Sequence, residues 1–231
     1  NLANVGLDIA PGVVATLSTE DPAINILNNE ATWGDLADST DMTLIAAYTF
    51  EVADDIEDVH NTSFFLEITS DTNTWSGYIY LDALAPELEV ANASFDDVNG
   101  GNGNGRLDGN EIVTLSIPNI NSGHSNSTEA IGTLSTSSPY LSILDNASVN
   151  LGSLAWDGDA TMADFNIEVS GDTPIGETAE LTYEVVAGNY SAQMTINVSI
   201  NLIVEDFETN TYETFAWTNE SNSPWFTSTN D

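Results

Sequence analysis

Along the second half of the chain, apolar and polar residues alternate with a period of two. In Asp164-Phe165-Asn166-Ile167-Glu168-Val169 the three apolar residues face one way and the three polar ones the other. Leu181, Tyr183 and Val185 repeat the pattern, and so do Met194, Ile196, Val198 and Ile200. A strand sends successive side chains to opposite faces, so these runs predict half-buried strands, and helical periodicity is nearly absent. Turn residues punctuate them at Ser138-Pro139, Asp157-Gly158, Asp172-Thr173-Pro174 and Ala187-Gly188-Asn189. Earlier strands are predicted around Leu88 and Val90 and over Ile112 to Ile117, with a Gly/Asn-rich loop between them. About seven short strands in roughly 115 residues indicate an all-β, immunoglobulin-like (Ig-like) β-sandwich. The Cys pair and core Trp of antibody domains are missing, so the expectation concerns general architecture.

The pattern occurs twice. Thr16-Leu17-Ser18-Thr19 recurs as Thr133-Leu134-Ser135-Thr136, an offset of 133 − 16 = 117. At that offset Pro22 meets Pro139, Ile26-Leu27 meets Ile143-Leu144, Glu51-Val52 meets Glu168-Val169, and Asn4 and Gly6 meet Asn121 and Gly123. Trp33-Gly34-Asp35-Leu36 aligns with Leu151-Gly152-Ser153-Leu154 after a one-residue shift. The chain is therefore expected to hold tandem repeats: 1–85 as a first Ig-like copy, 86–205 as a second, and 206–231 as the start of a third domain or an extension. Asn1 corresponds to position 118, so the first copy lacks the counterpart of residues 86–117. Leu2, Val5, Val13 and Leu17 are expected to border an unfilled groove, covered by the upstream part of a longer parent chain or by a strand from another molecule.

Composition narrows the partners. The chain has 231 residues, 37 acidic side chains against one basic one, and a formal net charge of −36. Hydrophobic residues make up 41%, enough for a core, so the acidity reflects missing Lys and Arg and not a disordered tail. With Arg106 as the sole Lys or Arg, the chain cannot neutralise phosphates, which excludes nucleic acid and anionic lipid surfaces; cations are the expected counter-species. No run approaches the roughly 18–20 apolar residues of a membrane span and Asn1 opens no signal peptide, so a soluble, mature or excised segment without membrane insertion is expected. The absence of Cys removes disulfides, thiolate catalysis and Cys-ligated zinc.

One loop carries a specific chemical signal. With Glu111 at position 12 of an EF-hand-type calcium loop, Asn102 falls at 3, Asn104 at 5, Gly105 at 6, Arg106 at 7 through its carbonyl, and Asp108 at 9. Position 1 falls on Gly100, so Asp97 or Asn99 would have to curl in. The candidate Ca2+ ligands are thus Asp97, Asn99, Asn102, Asn104, Arg106, Asp108 and Glu111, against the alternative of a simple Gly/Asn turn. Enzyme readings have less to stand on. His60 and His124, the two imidazoles, sit in polar, loop-like settings, and no nucleophile elbow or zinc-protease helix motif occurs. Trp217 and Trp225, in the aromatic segment with Phe215 and Phe226, keep a carbohydrate-binding reading open.

The run Asn102-Gly103-Asn104-Gly105-Arg106-Leu107-Asp108 with Glu111, then Asn119 to Gly123, then Leu134-Ser135-Thr136 with Pro139-Tyr140, resembles the Ig-like C-terminal modules of gingipain-type cysteine peptidases and related surface proteins of bacteria with type IX secretion. Glu205-Asp206-Phe207-Glu208 with Phe215, Trp217, Pro224 and Trp225 is similar to the opening of the jelly-roll-like domain that often follows. The resemblance implies a non-catalytic stalk or adhesion module at the cell surface or outside the cell, with the peptidase residues of any parent protein lying outside this chain. The expected partners are neighbouring domains of the same parent chain or like subunits. Alternatives are a strand-exchanged extracellular filament and a carbohydrate-binding accessory module that takes polysaccharide.

Overall fold

The computed structural model describes residues 1–203 except Thr72; the aromatic segment with Phe215, Trp217, Trp225 and Phe226 lies outside the described residues. Among the described residues every regular element is a strand. The first eight are β1 (Leu2–Asn4), β2 (Ala10–Ser18), β3 (Ile24–Asn28), β4 (Glu30–Leu36), β5 (Thr40–Met42), β6 (Thr49–Val52), β7 (His60–Ser70) and β8 (Asn73–Ala83). The remainder are β9 (Leu88–Val90), β10 (Ser94–Asp96), β11 (Ile112–Asn121), β12 (Glu129–Thr136), β13 (Leu141–Ile143), β14 (Ser148–Ser153), β15 (Thr161–Val169), β16 (Glu177–Ala187) and β17 (Tyr190–Ile200). No sheet mixes strands from before and after residues 84–87, so the chain folds as tandem Ig-like β-sandwiches.

The second sandwich is closed. One sheet runs β14-β12-β16-β17, the other β10-β11-β15-β13 with β9 also on β11, all antiparallel. The alternating residues meet between them: Val113, Leu115, Ile117, Leu134, Phe165, Ile167, Leu181, Tyr183 and Ile200 form one buried cluster. The strand Ser94–Asp96 was not expected, because a three-residue segment with one apolar side chain carries too little alternation to read.

The first sandwich repeats the second down to single hydrogen bonds. Its sheet β4-β2-β7-β8 matches β14-β12-β16-β17. The irregularity in β2 between Val13 and Val14 falls 117 residues before that between Ala130 and Ile131 in β12. The aligned Gly34 and Gly152 both adopt positive φ, 74° and 70°, where a side chain would be strained. Asn4 Nδ2 donates to the carbonyls of Asp8 and Leu36, as Asn121 Nδ2 does to those of Ser125 and Leu154. Asn4 and Asn121 also accept the N–H of Gly6 and Gly123.

The facing sheet is where the two copies part. In the second, β15 lies between β11 and β13; in the first, among the described residues, β6 pairs only with β3, and β1 only with β5. By offset, β1 matches Asn119–Asn121, the end of β11. Residues 43–48, equivalent to the first part of β15, form no strand. Among the described residues no strand pairs with them, so their main-chain groups join no ladder.

Candidate functional site

Two places carry features beyond packing: the loop between β10 and β11, and the face of the first sandwich left uncovered. In the loop, Asp97 and Glu111 are buried although both are acidic. Glu111 accepts the N–H of Asn102 on Oε1 (2.9 Å) and that of Asp108 on Oε2 (3.0 Å). Asp97 accepts the Gly105 N–H on both oxygens, at 3.2 and 3.3 Å, and its carbonyl accepts the Gly101 N–H at 2.7 Å. Asn102 and Asn104 each cap the N–H two residues on, and their amides donate to Asp108 Oδ2. Gly101 is required by closeness: a Cβ there would stand 2.9 Å from both the Asp97 carbonyl and the Glu111 carboxyl. Buried Leu107 pairs with Ile200, and Asn201 accepts the Gly109 N–H, which ties the loop to the end of β17.

Asp97, Asn102, Asn104, Asp108 and Glu111 are thus gathered into one hydrogen-bonded loop. Asp97, not Asn99, is the residue the chain folds round; Asn99 is exposed. Arg106 turns its guanidinium away, with Nη1 3.5 Å from the Leu202 carbonyl. The donors are carboxylates and amides, the hard oxygen set calcium takes. Among the described residues no three His, Cys, Asp or Glu side chains converge as a metal-holding group. A cation here would therefore draw on the Asn and main-chain oxygens and displace N–H donors from Glu111.

The first sandwich carries two adjoining apolar cavities of about 380 and 390 Å³. Leu2, Val5, Val13, Ile68 and Trp75 line one; Leu17, Trp33, Phe64, Ile79 and Leu81 are among those lining the other. The four residues expected to border a groove all do so. Exposure differs at equivalent positions of the two sandwiches. Phe50 is 37% exposed where Ile167 is 0%, Val52 41% where Val169 is 1%, and Leu81 44% where Val198 is 7%.

Both histidines pair with aspartates, and His60 opens β7 instead of lying in a loop. His60 Nε2 is 2.7 Å from Asp21, whose carboxyl is held down at about 2 by the neighbouring Thr62 hydroxyl, the His60 bond and the Ala23 N–H. The Thr62 hydroxyl is buried without a bond of full geometry, so it acts on Asp21 as a nearby dipole. His124 Nδ1 is 2.6 Å from Asp58 at the junction of the sandwiches. Asp58 also accepts the N–H groups of Ala85 and His124. Desolvation works to raise this carboxyl, but those three bonds outweigh it and hold it below the ordinary range. Tyr190 adds a second tie, donating to the Ile56 carbonyl at 3.0 Å. The junction was missed in the sequence because its partners lie 27 to 134 residues apart and belong to no repeated motif.

No family model and no curated protein matches the chain. Solved structures it is similar to include the C-terminal domain of the AgI/II polypeptide BspA of Streptococcus agalactiae, at 12% identity over 83% of this chain and 84% of that one, with a TM-score of 0.40. A second BspA C-terminal structure matches at 11% identity over the same shares, also with a TM-score of 0.40. A likeness of that size extends to neither ligand nor partner.

Proposed function

We propose that the chain is a non-catalytic Ig-like stalk or adhesion module of an extracellular multidomain bacterial protein, whose Asn/Gly loop is stiffened by calcium. The observation that carries this is the junction. Two copies of one sandwich follow each other through residues 84–87, and Asp58 of the first grips both that connection and His124 of the second. Repeated β-sandwiches joined by short, tied linkers set a distance and a direction, which is what a spacer does. A chain with 37 acidic residues and one Lys or Arg suits a saline exterior and partners within the same parent chain. The finer reading, an accessory tail of a type IX-secreted peptidase, rests on the sequence resemblance of the 102–111, 119–140 and 205–225 segments.

Calcium enters through Asp97, Asn102, Asn104, Asp108 and Glu111, with the Arg106 carbonyl as a main-chain donor. Bound there, the ion would neutralise the buried carboxylates and link β10 to the start of β11. A second reading has its own observation. On the outer face of β7 and β8, Phe65, Tyr78 and Tyr80 form an aromatic strip with centroid spacings of 5.4 and 6.2 Å, and Tyr78 and Tyr80 are largely exposed. Such rings can stack on sugars of a polysaccharide. Thermal melts with millimolar calcium or a chelator test the first reading, which expects calcium to raise the melting temperature. An unchanged value would remove the structural ion, and saturable quenching of aromatic fluorescence by polysaccharides would favour the accessory module over the spacer.

A further inference from the structure

We propose that the step Asn102–Gly103 is a site of spontaneous covalent modification, at which the loop between β10 and β11 holds the Asn102 amide ready for deamidation while it shields Asn104–Gly105. Of the 25 Asn residues, three precede a glycine, and all three, Asn99, Asn102 and Asn104, lie in this loop. The glycine matters because its main-chain nitrogen is the nucleophile, and no side chain stands in front of it. That nitrogen attacks Asn102 Cγ and gives up its proton; the Cγ–Nδ2 bond breaks, and the amide nitrogen leaves as ammonia. Water then opens the cyclic imide at either carbonyl, so one water is taken up, one ammonia is released, and aspartate or isoaspartate remains.

Geometry separates steps of identical sequence. Asn102 Oδ1 accepts the N–H of Asn104 at 2.9 Å and Asn104 Oδ1 that of Arg106 at 2.8 Å, a turn that folds each amide carbon back over the intervening glycine nitrogen. Asn99 does not make this turn, because the N–H two residues on, that of Gly101, is committed to the Asp97 carbonyl at 2.7 Å. Asn102, Asn104 and their glycines are exposed, so water reaches both steps. They differ at the nucleophile. The Gly105 N–H donates to both Asp97 carboxylate oxygens, at 3.2 and 3.3 Å, whereas among the described residues the Gly103 N–H has no acceptor. A donor held by a carboxylate must be released before its nitrogen can lose the proton and attack, which slows the Asn104 step by about tenfold or more.

The modification changes the loop. Asn102 Nδ2 donates to Asp108 Oδ2 at 3.0 Å. Deamidation replaces that donor with a carboxylate, so the bond is lost and like charges face each other, and the isoaspartate form also adds a carbon to the main chain. The loop therefore loosens, in one direction only, as the protein ages.

The test incubates the intact 231-residue chain with chelator in mildly alkaline buffer at physiological temperature and follows the digested loop by mass spectrometry. Product should accumulate at Asn102 about tenfold or more faster than at Asn104, whereas a synthetic peptide of residues 98–110 should react at both at similar rates. Equal rates in the folded chain, a faster Asn104, or the same preference in the peptide would overturn the proposal. So would a peptide that reacts while Asn102 of the folded chain stays intact. Freshly made N102D should melt below the parent in chelator, and an aged parent sample should move toward it; coinciding melts would overturn the loosening. Chelator throughout keeps both readouts independent of calcium binding at the loop.

Discussion

At residue scale, the two sandwiches solve the same packing problem with exchanged volumes. In the second, the Tyr183 hydroxyl reaches between the sheets to Asn119 Oδ1 at 2.8 Å, and burial raises the phenol to about 12 although the Asn119 bond works the other way. The ring has room because position 132 is Gly: a Cβ there would sit 2.1 Å from the Tyr183 oxygen. At the equivalent positions of the first sandwich stand Leu66, Ala15 and Leu2. A smaller side chain on β7 leaves space for the methyl group on β2, and no polar partner is needed. Gly132→Ala should cost about 1–3 kcal/mol through overpacking. In chemical denaturation, Gly132→Ala combined with Tyr183→Leu should lose less than the sum of the single changes, and adding Asn119→Leu should recover more. Additive losses would show that the positions do not share space.

A second residue-scale expectation concerns acid. The folded Asp21 carboxyl stands at about 2, below the roughly 3.9 of an unfolded Asp, so its contribution is complete above about pH 4 and is lost as pH falls toward 2. Melting temperatures of the parent and Asp21→Asn should differ by a constant amount above that window and converge within it. A difference that persists at pH 2 would mean that shape, and not charge, explains the effect of the substitution.

At the scale of elements, β8 and β17 are the instructive pair. Each has eleven residues, pairs over its full length with the preceding strand and places apolar side chains at alternate positions. Yet nearly all of β8 is exposed, while the inner positions of β17 are half or fully buried. Alternation fixes which side chains share a face, and says nothing of whether another sheet lies over that face. Self-comparison supplied this second fact, because it measured what one copy has and the other lacks. Where two strands repeat, as with β2 and β12, hydrophobic pattern, turn and bulge agree and the chain was legible. The loop at 97–111 was legible as to its members and not as to its bonds. Asn102 and Asn104 are equally fit to ligate a cation and to cap the N–H two residues on, and residue type does not distinguish these uses. The Asp58–His124 junction was not legible at all, since it joins unlike segments once.

For the molecule as a whole, charge dominates the response to solution conditions. Like charges repel within a Debye length, about 8 Å at physiological ionic strength, and folding brings them together. A single Lys or Arg offsets only a little of the charge of 37 acidic residues, which leaves a formal charge of −36. Melting temperature should therefore rise with NaCl up to about 1 M. A flat or falling profile in calorimetry would indicate that the carboxylates are already compensated, as by calcium at the Asp97–Glu111 loop.

The bonds that converge on Asp58 also decide how the chain would carry tension. A pull transmitted from β8 into β9 must pass residues 84–87, but Ala85 and His124 are both hydrogen-bonded to a side chain that belongs to the loop before β7. Part of the load is shunted around the connector into the first sandwich, so the two modules would yield as a hinge only after that carboxylate and the Tyr190–Ile56 bond let go. Stiffness at small extension then depends on that aspartate together with the Tyr190–Ile56 tie, and strongly acid conditions that protonate Asp58 would leave the second tie to hold alone.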